Sequence, residues 1–490
     1  MSRLPRLLFL PSVPSVPRLP GLLLFALSAL DVACKGSPAA SSSPAPCVDS
    51  PAAAYADPGP LPADNGHILR CGQDGTISSV DIDRLARDAG YTGATLKSGA
   101  FVIRLSYRTE RGTEPAQPGF SSAVVLLPET PRAGSLPVIV VAHGTVGEGP
   151  TCPVSQDPLT GIGTYLAELG YPLVGAGYAV ILPDFAGYAA FGEKGNPPSG
   201  YHSSADEAKS VLDAARALRA VEPSLFTPDT VLVGHSQGGH AVLSALAIHA
   251  TYGSGGTLRG VVAYAPSWFP MTSFGALLAL PSDYPLTTQA DTVAASVWYH
   301  YSHAELLDGP GAGALLFAAD KRGAITQFFD QTCDPNEKAL AALGATPADL
   351  FDPTFIDSVS VAAALGASCS DDTCMKWIAR YQEDRPHLTG SAKATPVLVV
   401  YGDADEWIPA EREVCGFDRL TSDGANATIC IVPGATHDGA VYARADYVNG
   451  WIGARTLGES APGVCGAGAS ALKEADGGGA VACATPPSND

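Results

Sequence analysis

Two kinds of hydrophobic pattern alternate along the middle of the chain. Leu136–Ala142 (LPVIVVA), Tyr178–Leu182 (YAVIL) and Pro396–Tyr401 (PVLVVY) are apolar without a break. A strand with one face in solvent alternates apolar and polar residues, so unbroken runs of this length predict strands buried on both faces. Thr230–Val233, Gly260–Tyr264 and Ala427–Val432 also read as strands, whereas Ala100–Tyr107 and Ser121–Leu127 suit an antiparallel pair at a sheet edge. Between these runs the period changes. Ala208, Val211, Leu212, Ala215 and Leu218 recur at the spacing of one helix face, and Ser204 with Glu207 forms a capping box at its start. Further helices are predicted from Gln237 to about His249 and from near Asp438. Strands alternating with helices predict an α/β fold, a mostly parallel sheet with helices on both faces.

The rhythm breaks between residues 267 and 392, which lack long β-runs and are rich in Ala, Leu, Phe and Pro. Because this stretch lies between two core strands, it reads as an inserted helical cap. The core is then divided into residues 66–266 and 393–456. Residues 35–65, rich in Ala, Ser and Pro, predict a disordered linker, and residues 457–490 a Gly/Ala-rich tail held by its two cysteines. Residues 1–34 read as a signal peptide, with Arg3 and Arg6 ahead of the apolar run Gly21–Leu30 (GLLLFALSAL). That run is too short to span a bilayer, and no other segment approaches the ~20 apolar residues a transmembrane helix needs. Ala33-Cys34 has the form of a bacterial lipobox, which offers Cys34 as a lipid anchor, but Asp31 stands where that motif carries an aliphatic residue. Cleavage nearby without lipid is the alternative.

Size and composition narrow the picture. At 490 residues the chain exceeds the usual single core, so one large domain with an insertion is expected. A formal net charge of −20 argues against nucleic acid or an anionic membrane surface as partner. The 11 cysteines become an even ten when Cys34 is set aside, and in an exported chain, secreted or held at the cell envelope, these read as up to five disulfides. Proximity suggests Cys47–Cys71, Cys369–Cys374, Cys415–Cys430 and Cys465–Cys483, leaving Cys152 and Cys333, although spacing alone does not settle connectivity. None shows metal-ligand spacing with His, so no zinc site is expected.

The candidate chemistry lies at the ends of the apolar runs. Gly234-His235-Ser236-Gln237-Gly238 fits G-x-S-x-G, a weak signal alone in a chain with 53 glycines. Its setting adds weight, since it follows the strand Thr-Val-Leu-Val and opens a helix. A sharp turn there lifts the Ser hydroxyl above the sheet and leaves no room for side chains two residues either side. His143-Gly144-Thr145 follows Leu136–Ala142, which nominates the main-chain amides of Thr145 and Gln237 as an oxyanion hole. A Ser hydroxyl also needs a base. Asp403, Asp405 and Glu406 follow the strand ending at Tyr401, and Asp405 is favoured as the acid, Asp403 next, with the other carboxylates solvated. His437, in Gly434-Ala435-Thr436-His437, is the only His after His387. Ser236, Asp405 and His437 thus follow the chain order nucleophile, acid, base of α/β-hydrolases. His143, His235 and His240 read as structural.

With their surroundings these residues resemble the secretory-lipase, lipase A-like family of α/β-hydrolases. The resemblance runs over roughly residues 66–455. It rests on Tyr107-Arg108-Thr109, Ala142-His143-Gly144-Thr145 with Gly147 and Cys152-Pro153, Gly177-Tyr178-Ala179-Val180 leading to Pro183-Asp184, Val211-Leu212-Asp213-Ala214, and the Gly-His-Ser-Gln-Gly elbow. It implies a carboxylester hydrolase with a helical lid between the sixth and seventh core strands; acyl transfer through such a triad needs no cofactor, and the expected substrate is a small-molecule or lipid ester. It implies Ser236, Asp405 and His437 as triad, a Cys152–Cys333 disulfide into the lid, and a structural Asp184. The cap runs Leu277–Leu280 and Leu315–Ala319 suit either an acyl site or cap core. A peptidase or acyltransferase of the same fold, or a non-catalytic binding protein on it, are the competing readings.

Overall fold

The computed structural model describes residues 47–161, 163–190, 196–268, 274–279, 290–333, 343, 346–408 and 410–465. The signal segment, Cys34, the first part of the linker, Leu280, and most of the tail lie outside them. Among the described residues nine strands form one sheet: β1 (Ile68–Ile77), β2 (Ala100–Arg111), β3 (Gln117–Pro128), β4 (Leu136–Ala142), β5 (Val180–Ala186), β6 (Phe226–His235), β7 (Thr257–Tyr264), β8 (Val397–Gly402) and β9 (Ala427–Val432), in the order β1-β2-β3-β5-β4-β6-β7-β8-β9. The first three pairings in that order are antiparallel, and every pairing from β5 to β9 is parallel. All catalytic candidates therefore sit at one end of the sheet, beyond the C-termini of parallel strands.

The parallel strands are apolar because both faces are covered. Val138, Val140 and Ala142 of β4 pack with helices α3 (Ser204–Val221) and α4 (Gln237–Tyr252), while Ile139 and Val141 pack with α1 (Ser79–Asp88), α2 (Tyr171–Gly175) and the last helix, Gly439–Thr456. No apolar run marks strand β1. Its sequence, ILRCGQDGTI, carries polar residues on both faces, and it forms only because β2 offers it a ladder. As a result β2 is an interior strand, not the edge. The described part of the Ala/Ser/Pro-rich stretch is also packed and not free. Cys47 is bonded to Cys71, the Asp49 amide donates to the Cys71 carbonyl, and the Tyr55 hydroxyl contacts Ser155 at 2.9 Å.

Between β7 and β8 the described residues are helical, with α5 (Ala290–Leu307) followed by the longer helices Arg322–Gln331, Pro353–Leu365 and Asp372–Glu383. They enclose an aromatic core of their own in which Trp298, Phe317, Phe329, Phe351, Trp377 and Tyr381 are buried. Leu277, Leu278 and Phe317 belong to that core and pack the cap, whereas Leu315 is exposed. The cap is tied to the sheet by Cys152–Cys333. Beside that bond the backbones touch: a Cβ on Gly147 would lie 2.2 Å from the Thr332 carbonyl oxygen, and one on Gly149 2.3 Å from that of Asp330.

Cys47–Cys71 and Cys369–Cys374 are bonded as proximity suggested. The other two proximity pairings are not formed, because Cys430 is bonded to Cys465. Cys430 is buried on the face of β9 covered by the last helix, and the chain leaving that helix brings Cys465 to it. Cys415 instead lies on the separate helix Ala410–Asp423 and is disulfide-bonded elsewhere.

A buried ion pair fixes the β2–β3 end of the molecule. Arg111 donates to Asp206 at 2.9 Å, with both side chains about 1% exposed, and its terminal nitrogens donate to Asn196 and to the carbonyls of Pro197 and Pro198. Removing one member of such a pair strands the other charge. Asp206→Ala should therefore cost about 3–5 kcal/mol of unfolding free energy in urea, and a cost below about 1 kcal/mol would show that Arg111 finds solvent.

Candidate active site

Ser236 sits between the last residue of β6 and the first of α4 with φ 55° and ψ −115°, a left-handed conformation that a side-chain-bearing residue adopts only under constraint. The constraint is visible. The Ser236 amide donates to the Tyr264 carbonyl at 2.9 Å, and its own carbonyl accepts from the amides of Ser267 (3.2 Å) and His240 (3.1 Å). Its neighbours must be glycine. A Cβ on Gly234 would lie 2.0 Å from the Gly238 carbonyl oxygen, and one on Gly238 2.0 Å from that of Ala142. Ser236 is half-buried.

The loops after β8 and β9 hold the other two candidates. His437 Nδ1 donates to Asp405 Oδ2 at 2.8 Å, and the Asp405 side chain is fully buried. The second oxygen of Asp405 accepts from the amides of Trp407 (2.8 Å) and Ile408 (2.7 Å). Three donors thus converge on one carboxylate and leave it little freedom to rotate. The neighbouring carboxylates are not simply solvated: Asp403 accepts from the Gly434 amide at 2.5 Å and Glu406 from the His437 amide at 3.1 Å, so both staple the histidine loop. Gly402 permits this closeness, because a Cβ there would lie 2.2 Å from the Ala435 carbonyl oxygen. The imidazole of His437 packs against that of His235, the residue preceding Ser236, with ring centroids 4.5 Å apart. Burial first, and then His437, push the His235 pKa well below the usual imidazole range, so His235 is a neutral wall behind the base candidate.

Thr145 and Gln237, the oxyanion candidates, follow the neighbouring ends of β4 and β6, which are paired at Ala142 and Gly234. Gln237 opens α4, where a main-chain amide has no partner within the helix. Their side chains are held from a single segment: Thr145 Oγ1 shares a hydrogen bond with the Tyr201 hydroxyl at 2.8 Å, and Gln237 Nε2 donates to Glu207 at 2.7 Å. The capping box expected at Ser204 and Glu207 is not formed. Ser203 occupies the cap position without a side-chain bond, and Glu207 turns inward to Gln237, His240 and the His202 amide. His240 donates through Nδ1 to Glu207 (3.1 Å) and through Nε2 to the Asp384 carbonyl (2.7 Å). Burial opposes charge on His240, but Glu207 and Asp384 together outweigh it and raise the pKa.

Sequence reasoning missed Tyr201, Glu207 in this role, and Asp384. Asp384 lies far along the chain from all the motifs, and nothing in its neighbours marks it. Glu207 did carry a signal, a position beside the apolar stripe of α3, but the capping pattern accounted for it equally well. Asp184 accepts from Ser122 and Ser155 in a buried site of its own. Among the described residues no group of three or more His, Cys, Asp or Glu could hold a metal ion.

Residues 138–450 match the model of the alpha/beta hydrolase family. The match covers well over half of the chain, and the protein belongs to that family. Solved structures share the fold at low identity. The rice cell wall degrading esterase LipA from Xanthomonas oryzae is 18% identical with a TM-score of 0.58, covering 80% of this chain and 97% of its own. Candida antarctica lipase A in its closed state is 15% identical with a TM-score of 0.60, covering 87% and 92%. No curated protein matches the chain by sequence.

His143 gives a pH test of this region. It is fully buried against Phe185 and Tyr188, Nδ1 donates to the Gly144 carbonyl, and burial lowers its pKa to about 4. Well above the ordinary imidazole pKa of about 6.5 the ring is neutral, folded or unfolded. As pH falls from about 6.5 to about 4, the unfolded chain takes up a proton that the folded one refuses, so stability is lost on acidification. Relative to His143→Gln, the wild type should lose on the order of 3 kcal/mol between about pH 7 and about pH 4 in denaturant titrations. An unchanged difference would mean that His143 is protonated or exposed in the fold.

Proposed function

We propose that the protein is an exported carboxylic ester hydrolase of the secretory-lipase type, with Ser236 as nucleophile, His437 as base and Asp405 as its acid partner. The observation that carries this reading is the Asp405–His437 hydrogen bond, with the imidazole packed on the residue next to the strained Ser236. Asp405 would hold the proton on Nδ1, leaving Nε2 free to accept one. Ser236 attacks the ester carbonyl as His437 takes its proton, and the oxyanion is held by the amides of Thr145 and Gln237. The protonated His437 then gives its proton to the leaving alcohol. Water repeats the cycle on the acyl-enzyme, so acyl transfer requires no cofactor.

The cap favours a small-molecule or lipid ester over a polymer chain, because it lies over the same sheet end as the candidate residues and is cross-linked there. Trp407 is 47% exposed and its ring lies 6.2 Å from that of His437, a flat apolar surface for the substrate beside the base. Export is supported by the Arg3–Leu30 pattern together with four disulfides among the described residues, bonds that persist in oxidising compartments. Ala33-Cys34 offers a lipid anchor at Cys34, with cleavage nearby and no lipid as the alternative.

The test is turnover of p-nitrophenyl esters of increasing chain length, with a peptide p-nitroanilide as comparator. Ester turnover should dominate, and Ser236→Ala or His437→Ala should abolish it, a loss of roughly 10⁶-fold in kcat. Asp405→Asn should lower kcat by roughly 10⁴-fold while the protein stays folded, whereas Asp403→Asn should stay within about tenfold. Full activity in Ser236→Ala would end the proposal.

A further inference from the structure

We infer that the segment Tyr201–Glu207 is a positioning clip that holds both oxyanion residues in place and is itself set by the cap. This rests on the ester-hydrolase reading above. On its inner side the clip grips Thr145 through the Tyr201 hydroxyl and Gln237 through Glu207. Tyr201, Glu207 and Gln237 are nearly or fully buried and Thr145 is half-buried, so water competes least for the Glu207–Gln237 contact. On its outer side the clip is tethered to the cap. The Tyr201 amide donates to Ser302 Oγ at 3.1 Å, and the Ser204 amide donates to Asp384 Oδ1 at 2.8 Å. Ser302 lies on α5 and Asp384 directly follows the helix Asp372–Glu383, so both anchors belong to the cap.

Asp384 is the knot. Its second oxygen accepts from the Tyr299 hydroxyl and from His303 Nε2, each at 2.7 Å, and its carbonyl accepts from His240 on α4. The start of α3, which Ser203 leaves without a side-chain cap, is thus completed by a carboxylate from the cap. Between the outer and inner contacts the chain passes through His202, a non-glycine residue at φ 58° whose amide is held by Glu207 at 2.8 Å. A strained residue persists only where its surroundings over-determine it. A buried carboxylate with three donors, a strained corner and two tethers to the cap add up to more than filling space. They fix the positions of two residues, one in the loop after β4 and one opening α4, that must hold an oxyanion to within a fraction of an ångström.

The roles separate by kinetics. A positioning clip acts on the transition state, so its loss should lower kcat and leave KM alone. In the full-length protein, Tyr201→Phe removes only the hydroxyl, Glu207→Ala frees the Gln237 side chain, and Glu207→Gln keeps an acceptor for it. Tyr201→Phe and Glu207→Ala should each lower kcat about 10–100-fold with KM within about twofold. They should weaken a trifluoromethyl ketone inhibitor, which forms the tetrahedral oxyanion, by the same factor. Glu207→Gln should recover most of the loss. Asp384→Asn should give the same kcat-only signature if the cap sets the clip, and a change in melting temperature alone would remove the cap from the account. Folded Tyr201→Phe with kcat within about threefold of wild type, or inhibitor affinity that does not follow kcat, would overturn the clip. Absence of Ser236-dependent turnover in the wild type would instead overturn the ester-hydrolase reading.

Discussion

The structure depends on backbone packed against backbone at one end of a parallel sheet. Ser236 is held at positive φ by bonds to Tyr264, Ser267 and His240, and the turn exists only because Gly234 and Gly238 allow main chains to meet within van der Waals contact. Gly402 does the same for the acid and histidine loops. Such contacts leave no slack. Each loop end is located by the sheet register beneath it, since β4, β6, β7, β8 and β9 are consecutive neighbours in the sheet. His235, the residue before Ser236, and His437, far apart in the chain, therefore come together by construction, and the construction requires small residues at the strand ends.

Around that end, charge and hydrogen bonds are arranged in layers. Asp405 meets His437 and two amides; Asp403 and Glu406 meet the amides of the histidine loop; Glu207 meets Gln237, His240 and His202. The Asp405 side chain and Glu207 are buried, and buried carboxylates need several donors to remain tolerable; here those donors include groups from other segments of the chain. Satisfying each carboxylate consequently orders the loops relative to one another. The outermost layer, Asp384 with Tyr299 and His303, extends this order into the cap, so the cap is joined to the site by hydrogen bonds as well as by Cys152–Cys333.

Much of the fold and of the candidate site is legible in the chain. Uninterrupted apolar runs mark β4 and β8 because both faces of these strands are covered, and the change of period marks α3. Ser236, Asp405 and His437 stand directly after such strands, which is why chain order and local motif suffice to nominate them. Strand β1 is not legible, since its polar residues form a strand only beside β2. The pairing of Cys430 with Cys465 is not legible either, because it follows from where the last helix ends. Nor is the role of Glu207, whose pattern fits a helix cap equally well until the fold shows its side chain turning inward.

What the sequence determined by itself is the α/β fold and the short list of candidates for the proposed acyl-transfer chemistry, because both are written in local patterns: periodicity, glycine placement and residues following strands. What only the tertiary structure decided is which polar groups answer one another. Asp405 with His437 while Asp403 meets a main-chain amide, Glu207 with Gln237 and His240, and Asp384 under α3 are choices made by hydrogen-bond distances between segments far apart in the chain. A carboxylate's role depends on the donors that surround it, and those donors are assembled only when the sheet and the cap have folded together.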